Sequence, residues 1–398
     1  MKTDTRLVHA GRNPEQNFGI VNPPVYRAST ILYPTLAEFE NRHARKYTGF
    51  YYGIHGTPTT FALAEAVAEL AGGYRALVVS SGLAAVAQAL TAFVRQGDHV
   101  LVADTVYGPT REFCTSVLAR FGVDVTFYDP LVGAGIAGLM RDATRVVYLE
   151  SPGSLTFEVQ DVPAIAGAAR ARGAVVILDN TWATPLCFRA FEHGVDVEVQ
   201  AGTKYLAGHS DLLVGVIMTR DEALFRTVKD GAAAFGDCAA PDVCYEALRG
   251  LRTLAVRLRQ HERSALAVAR WLATRPEVAR VLHPALPEDP GHALWTRDFT
   301  GSSGLFGVLL RTSSEHAVAA MVEGLRLFKI GASFGGFESL IVPARPAAVR
   351  TARPWQETGF LLRLHVGLEA VEDLIADLGE GFARLDAVLE ATRAAGGR

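Results

Sequence analysis

From about residue 60 the chain alternates short Val/Ile-rich runs with Ala/Leu-rich stretches of helical character. The runs at 76–80, 99–103, 123–128, 145–150 and 174–179 have strand length and are bounded by Gly, Asp or Pro, which predicts buried strands. Helices are expected between them, near 84–95, 110–121 and 163–172. Such alternation implies right-handed crossovers and a mostly parallel α/β sheet covered on both faces, with ligands gathering at the strand C-termini. After about residue 244 the pattern changes. A long Arg/Leu-rich helical region at 245–272 leads into Pro-rich turns at 283–291, and a mixture of strands and helices from 305 ends in an amphipathic helix near 370–392. This reads as a smaller α+β domain. Residues 1–59 carry Asn22-Pro23-Pro24, Tyr33-Pro34 and a Tyr/Gly cluster with little periodicity, so they are expected to form an arm on another surface, such as a second subunit. The predicted division is therefore 1–59, 60–244 and 245–398, with no internal repeat.

Composition narrows the class. The 398 residues include 39 Lys+Arg and 42 Asp+Glu, a formal charge of −3 without a basic block, which argues against nucleic acid as the main partner. With 49% hydrophobic and 20% charged residues the chain is an ordinary globular protein, and a small-molecule enzyme is the leading class. The longest uncharged stretch, 76–94, contains Ser80, Ser81, Gly82, Gln88 and Thr91 and divides into a strand and a helix, so no membrane span is expected. No apolar run follows the N-terminal charges, and four cysteines without a CxxC pair fit a reducing cytosol, so a cytoplasmic location is expected. Lys2, Lys46, Lys204, Lys229 and Lys329 are the only lysines beside 34 arginines. A lysine kept in an apolar, glycine-rich setting therefore stands out.

Three segments carry chemistry. Leu178-Asp179-Asn180 ends a buried strand in an acid; Gly202-Thr203-Lys204-Tyr205 sets a lone lysine in a flexible loop 25 residues later. Ser80-Ser81-Gly82-Leu83 passes from strand through a glycine turn into a helix start, which offers N–H groups to an anion. An acid, an amine and a phosphate cradle are what pyridoxal phosphate requires. Two other patterns lead nowhere. Gly133-Ala134-Gly135-Ile136-Ala137-Gly138 fits GxGxxG but follows Asp129-Pro130 and lacks an acidic strand end further on; the eleven histidines form no HExxH, so no metal site is expected.

With these residues in view, the chain resembles the pyridoxal-phosphate-dependent enzymes of Cys/Met metabolism, and within them the bacterial cystathionine β-lyases. The likeness runs from Tyr52-Gly53 and Gly56-Thr57-Pro58-Thr59 through Glu150-Ser151-Pro152-Gly153 and the lysine loop to Arg363-Leu364-His365-Val366-Gly367-Leu368-Glu369. The resemblance implies a fold-type-I architecture and pyridoxal 5'-phosphate joined covalently to Lys204. It implies that Asp179 faces the pyridine nitrogen, that Tyr107 stacks on the ring near the substrate amine, and that Gly82, Leu83 and Thr203 contact the phosphate. Tyr52 is implied to reach the phosphate of a neighbouring subunit. Ser154 is implied to lie beside the cofactor, where γ-acting relatives commonly have Asn. Arg363 is implied to grip the substrate carboxylate, with Ser333 and Phe334 in the substrate loop. The expected reaction is α,β-elimination of an amino-acid thioether, L-cystathionine, in a homotetramer built from two active dimers. A γ-lyase, a γ-synthase or a cysteine desulfhydrase is the alternative within enzymes, and a non-catalytic binding or regulatory protein is the alternative outside them. Three positions depart from the family pattern: Ile54 replaces a customary arginine and Ala201 a serine, both at phosphate contacts, and Phe334 replaces the tryptophan of some β-lyases. The first two predict weaker coenzyme binding.

Overall fold

A computed structural model describes residues 1–396 of the chain. The five Val/Ile-rich runs form β1 (Arg75–Val79), β2 (His99–Ala103), β3 (Asp124–Tyr128), β4 (Thr144–Glu150) and β5 (Val175–Asp179). Two further strands, β6 (Val197–Ala201) and β7 (Gly215–Thr219), complete a seven-stranded sheet of order β1-β7-β6-β5-β4-β2-β3. The pairings of β2 with β3, β2 with β4, β4 with β5 and β5 with β6 are parallel, while β7 runs antiparallel to both neighbours. This direction aligns the C-terminal ends of β4, β5 and β6 at one edge of the sheet.

The helices differ from expectation mainly at their ends. The first starts at Gly82 because Ser81 caps it, its hydroxyl accepting the Ala84 N–H, and it ends at Thr91. The second begins at Gly108 and passes through a π-helical stretch, Phe113–Leu118. The region expected as one helix over 245–272 is two, Pro241–Arg252 and Leu254–Ala273, separated at Thr253. The first of them packs against the helix Pro58–Ala71, so the expected boundary at 244 falls within an element that belongs to the packing of the larger unit.

The C-terminal part contains β8 (Val278–Leu282), β9 (Leu305–Leu310), β10 (Lys329–Ile330), β11 (Leu340–Ala344) and β12 (Leu361–His365), in a second sheet of order β10-β11-β12-β9-β8. Period-2 alternation along β12 has a direct consequence. Leu362 and Leu364 join the smaller hydrophobic core, whereas Leu361 joins the larger one, so the face that carries Arg363 looks toward the larger unit.

The arm divides in two. Its first helix, Thr3–His9, lies on this chain: Leu7 is buried, and Arg252 donates to the carbonyls of Leu7 and Ala10 at 2.7 Å each. Farther along, Phe18 (99% exposed), Leu32 (88%) and Leu36 (70%) present large apolar side chains to solvent. The glycine-rich segment at 133–138 lies in a tight helical turn, Gly133–Leu139, and no dinucleotide cradle forms there. Among the described residues no helix is long and apolar enough to cross a membrane, and no group of three or more His, Cys, Asp or Glu side chains is arranged to hold a metal ion.

Candidate active site

One cavity at the C-terminal ends of the large sheet is lined by Gly82, Leu83, Tyr107, Glu150, Ser154, Asp179, Thr181, Trp182, Ala201, Thr203, Lys204, Phe334 and Arg363, with further apolar residues. Parallel strands bring most of these together. Asp179 ends β5, Glu150 ends β4 directly beside it in register, and the turn after β6 carries Thr203 and Lys204. Trp182 ties this rim to the smaller unit, its indole N–H donating to the Leu305 carbonyl at 2.8 Å.

Lys204 is the central group. Its Nζ donates to the Ser333 hydroxyl at 2.6 Å and lies 5.2 Å from the centre of the Phe334 ring. Burial, and after it the charge of Arg363, lowers the ammonium pKa to about 8, against a smaller opposing pull from Asp179. The loop is pinned from behind by Arg257, which donates to the carbonyls of Tyr205 (2.7 Å) and Leu206 (3.3 Å). In front, Gly335 passes so close that a Cβ there would lie 2.6 Å from the Tyr205 nitrogen, and its φ is +81°. Only glycine lets the substrate loop seat against the lysine. The neighbouring Ser333 holds φ at +152°, a costly conformation for a residue with a side chain. It is clamped twice: Lys204 donates to its hydroxyl, and Arg363 donates to its carbonyl at 3.2 Å.

Asp179 is oriented by Thr181, whose N–H (2.9 Å) and hydroxyl (2.6 Å) both donate to Oδ1. Oδ2 is left to face the cavity as an acceptor. Burial raises the Asp179 pKa, while the Thr181 donors and Lys204 pull it back. Ser81 uses its side chain on Ala84, so the main-chain N–H groups of Gly82 and Leu83 remain for a ligand at the helix start. A Cβ at position 82 would lie 2.5 Å from that of Ala201, so glycine is required for the helix to begin against the end of β6.

Thr203 makes its contacts within its own loop, and Tyr52 stands away from this chain's cavity, as a role in a neighbouring subunit's site would require. Thr203 lines the cavity, but its hydroxyl donates to the Val214 carbonyl (3.2 Å) and accepts the Val214 N–H (3.0 Å), and its own N–H also goes to Val214. Its donors therefore hold the loop rather than an anion. Tyr52 and Ile54 do not line this cavity; Tyr52 is 48% exposed and contacts Ser29. Thr181, Trp182 and Glu150 are members of the site that were not predicted, and Glu150 is the one that brings a second acid. The motif Glu150-Ser151-Pro152-Gly153 carried no assigned role, although a second strand-ending acid was visible in it.

A cavity with one partly neutral amine, one acid with a free acceptor oxygen, a helix start and a buried guanidinium fits an aldehyde coenzyme that bears a phosphate and a basic ring nitrogen. The family model for "Cys/Met metabolism PLP-dependent enzyme" matches residues 4–383. The chain belongs to that family. Its coenzyme is pyridoxal 5'-phosphate. A putative cystathionine β-lyase of Rhizobium johnstonii is 49% identical over 97% of both chains. The cystathionine β-lyase of Salmonella typhimurium is 46% identical over 96% of this chain and 98% of its own. Among solved structures, cystathionine γ-synthase of Xanthomonas oryzae pv. oryzae in complex with aminoacrylate and cysteine superposes with a TM-score of 0.89 at 32% identity, over 97% of this chain and 99% of that one. The non-catalytic alternative loses its support, because the family match comes with an assembled amine, acid and guanidinium in one cavity. The chain is a pyridoxal-phosphate-dependent enzyme of the carbon–sulfur lyase type.

Proposed function

We propose that the protein is a carbon–sulfur β-lyase that converts L-cystathionine and water to homocysteine, pyruvate and ammonia. The observation that carries this reading is the meeting of Lys204, Asp179 and Arg363 in one cavity, in a chain up to 49% identical to cystathionine β-lyases over nearly its full length. Bound pyridoxal phosphate supplies an aldehyde for the substrate amine and a ring that withdraws electrons from Cα. Lys204 would hold the coenzyme through its Nζ, and the same amine is placed to take the proton from the substrate Cα and to give a proton to the departing sulfur. Asp179 keeps the ring nitrogen protonated through Oδ2. Gly82 and Leu83 hold the phosphate by their N–H groups, and Thr203 joins them only if its hydroxyl turns from Val214. Tyr107 and Ser154 would line the place of the ring, while Phe334 supplies an apolar wall.

Arg363 binds the substrate α-carboxylate, releasing the Ser333 carbonyl as it does so. Replacing Arg363 with Lys removes the two-pronged contact and keeps the charge. A hydrogen bond to a charged group contributes about 1.5–3 kcal/mol, so KM should rise roughly tenfold to hundredfold. Steady-state kinetics would measure this, and kcat should fall much less.

The three-part division, with its second boundary taken beyond the helix Pro241–Arg252 rather than at 244, the homotetramer and the cytoplasmic location belong to the same reading. Their support is the apolar side chains exposed along 18–36, the position of Tyr52 outside its own chain's cavity, and four free cysteines. In this assembly Tyr52 serves a neighbouring subunit.

The deciding experiment supplies purified enzyme and coenzyme with L-cystathionine and identifies the keto acid. Pyruvate is expected. Formation of 2-oxobutyrate instead assigns γ-cleavage, the alternative that the solved γ-synthase structure keeps in view.

A further inference from the structure

The acid at the end of β4 has no role in the reaction as described, yet it lines the same cavity. Its Cα is the register partner of Asp179, so two carboxyl groups sit side by side on adjacent parallel strands. Glu150 Oε2 accepts the main-chain N–H of Tyr107 at 2.6 Å, and this donor carries no formal charge. Tyr107 stands at the entry to the helix Gly108–Glu112, and its own carbonyl accepts the Arg111 N–H at 3.1 Å. Glu150 therefore fixes the Tyr107 backbone on one side and the first helical turn fixes it on the other. Just upstream the Asp104 carboxylate anchors the same segment, accepting N–H groups of Thr351, Ala352 and Arg353.

We propose that Glu150 is a positioning residue, whose carboxyl oxygen sets the Tyr107 ring over the coenzyme by accepting the Tyr107 main-chain N–H. This rests on the coenzyme assignment made above. The geometry explains why an acid can sit there without a cation: its task is to reach one N–H, and its reach is set by side-chain length. Burial, followed by the neighbouring Asp179, also pushes the Glu150 pKa well above the usual carboxylate range, in keeping with a group that holds its proton. The groups facing it are Asp179 from β5 and the Tyr107 segment, with Arg363 across the cavity.

Length and charge can be separated. Glu150→Gln keeps the reach and the acceptor oxygen but can never be ionised; Glu150→Asp keeps the carboxyl but is one methylene short. Coenzyme-free protein is titrated with pyridoxal phosphate, following absorbance and the induced circular dichroism of the bound coenzyme. The Gln variant is expected to match wild type within about threefold in Kd with an unchanged dichroic band. The Asp variant is expected to bind about tenfold more weakly with an altered band. Any other ordering overturns the proposal: an impaired Gln variant makes the charge essential, and an unimpaired Asp variant makes the contact to Tyr107 irrelevant. If wild type itself takes up no pyridoxal phosphate, the coenzyme assignment fails instead, and the two failures are distinguishable.

Discussion

Lys204→Ala is expected to lower turnover of cystathionine by at least about three powers of ten, since a positioned acid–base group alone supplies roughly 10²–10⁴. Covalent attachment disappears with it: borohydride treatment should add the coenzyme's mass to the wild-type peptide that contains residue 204 and none to the variant's. Lys204→Arg should be equally inactive, because a guanidinium keeps the positive charge but does not give up a proton in proteins. The wild-type amine also predicts a pH dependence. With a pKa of about 8, the amine of coenzyme-free protein is about one-tenth neutral at pH 7, whereas an ordinary lysine at about 10.4 is neutral in fewer than one molecule in a thousand. Only the neutral form attacks the aldehyde, so the rate of coenzyme attachment should rise with pH and level off above about 8. A rate still climbing steeply at pH 9.5 would mean that burial and Arg363 do not act on this amine as the geometry requires.

How much of this was legible in the sequence depends on which physical signal each element carried. The strands β2, β4 and β5 are Val/Ile-rich runs buried almost throughout, and that left a plain mark, whereas the edge strands β1 and β3 are only partly buried, against the expectation of burial. β6 left none because it reads Val-Glu-Val-Gln-Ala: Glu198 and Gln200 are almost wholly buried, yet they are polar. Their burial is tolerated because Asn180 and Gln200 both donate to Glu198 Oε1, at 2.9 and 2.7 Å, and burial raises the Glu198 pKa to about 7. That compensation is tertiary and invisible along the chain. The break at Thr253 was hidden in the same way. Helical periodicity continues through it, and the side chain of Arg257 reaches back to the Thr253 hydroxyl and the Gly250 carbonyl.

For the site, residues that act through a side chain of rare type were readable: one lysine among many arginines, one acid ending a strand. A side chain that acts on the main chain of a distant segment was not. Glu150 works by accepting an N–H from a loop 43 residues away in sequence, and nothing in its own neighbourhood announces that partner. Thr203 is a different case, since a hydroxyl beside a phosphate site looks free in sequence while in the fold it bonds Val214. Tyr52 is a third kind of case: a single chain does not bring it to its own cavity, and the role implied for it lies in a neighbouring subunit's site.

Asp179→Asn is the second large effect and separates charge from shape. Asn can still accept the Thr181 N–H and hydroxyl through its carbonyl oxygen, so the strand end and the turn into Thr181 are retained. What is lost is the negative charge that would face the ring nitrogen. Removing one partner of a buried charged pair costs about 3–5 kcal/mol, which corresponds to a fall in kcat/KM of roughly two to four powers of ten. Coenzyme should still attach at Lys204, so the variant's borohydride-labelled mass should equal that of wild type. Labelling thus distinguishes this variant from Lys204→Ala even where both are too slow to assay. Asp179→Glu provides the control: it restores the charge but pushes it one methylene deeper into the cavity, and should recover only part of the rate. Wild-type turnover in the Asn variant would mean that the ring nitrogen needs no carboxylate, and the electron-withdrawing role assigned to this end of β5 would have to be given up.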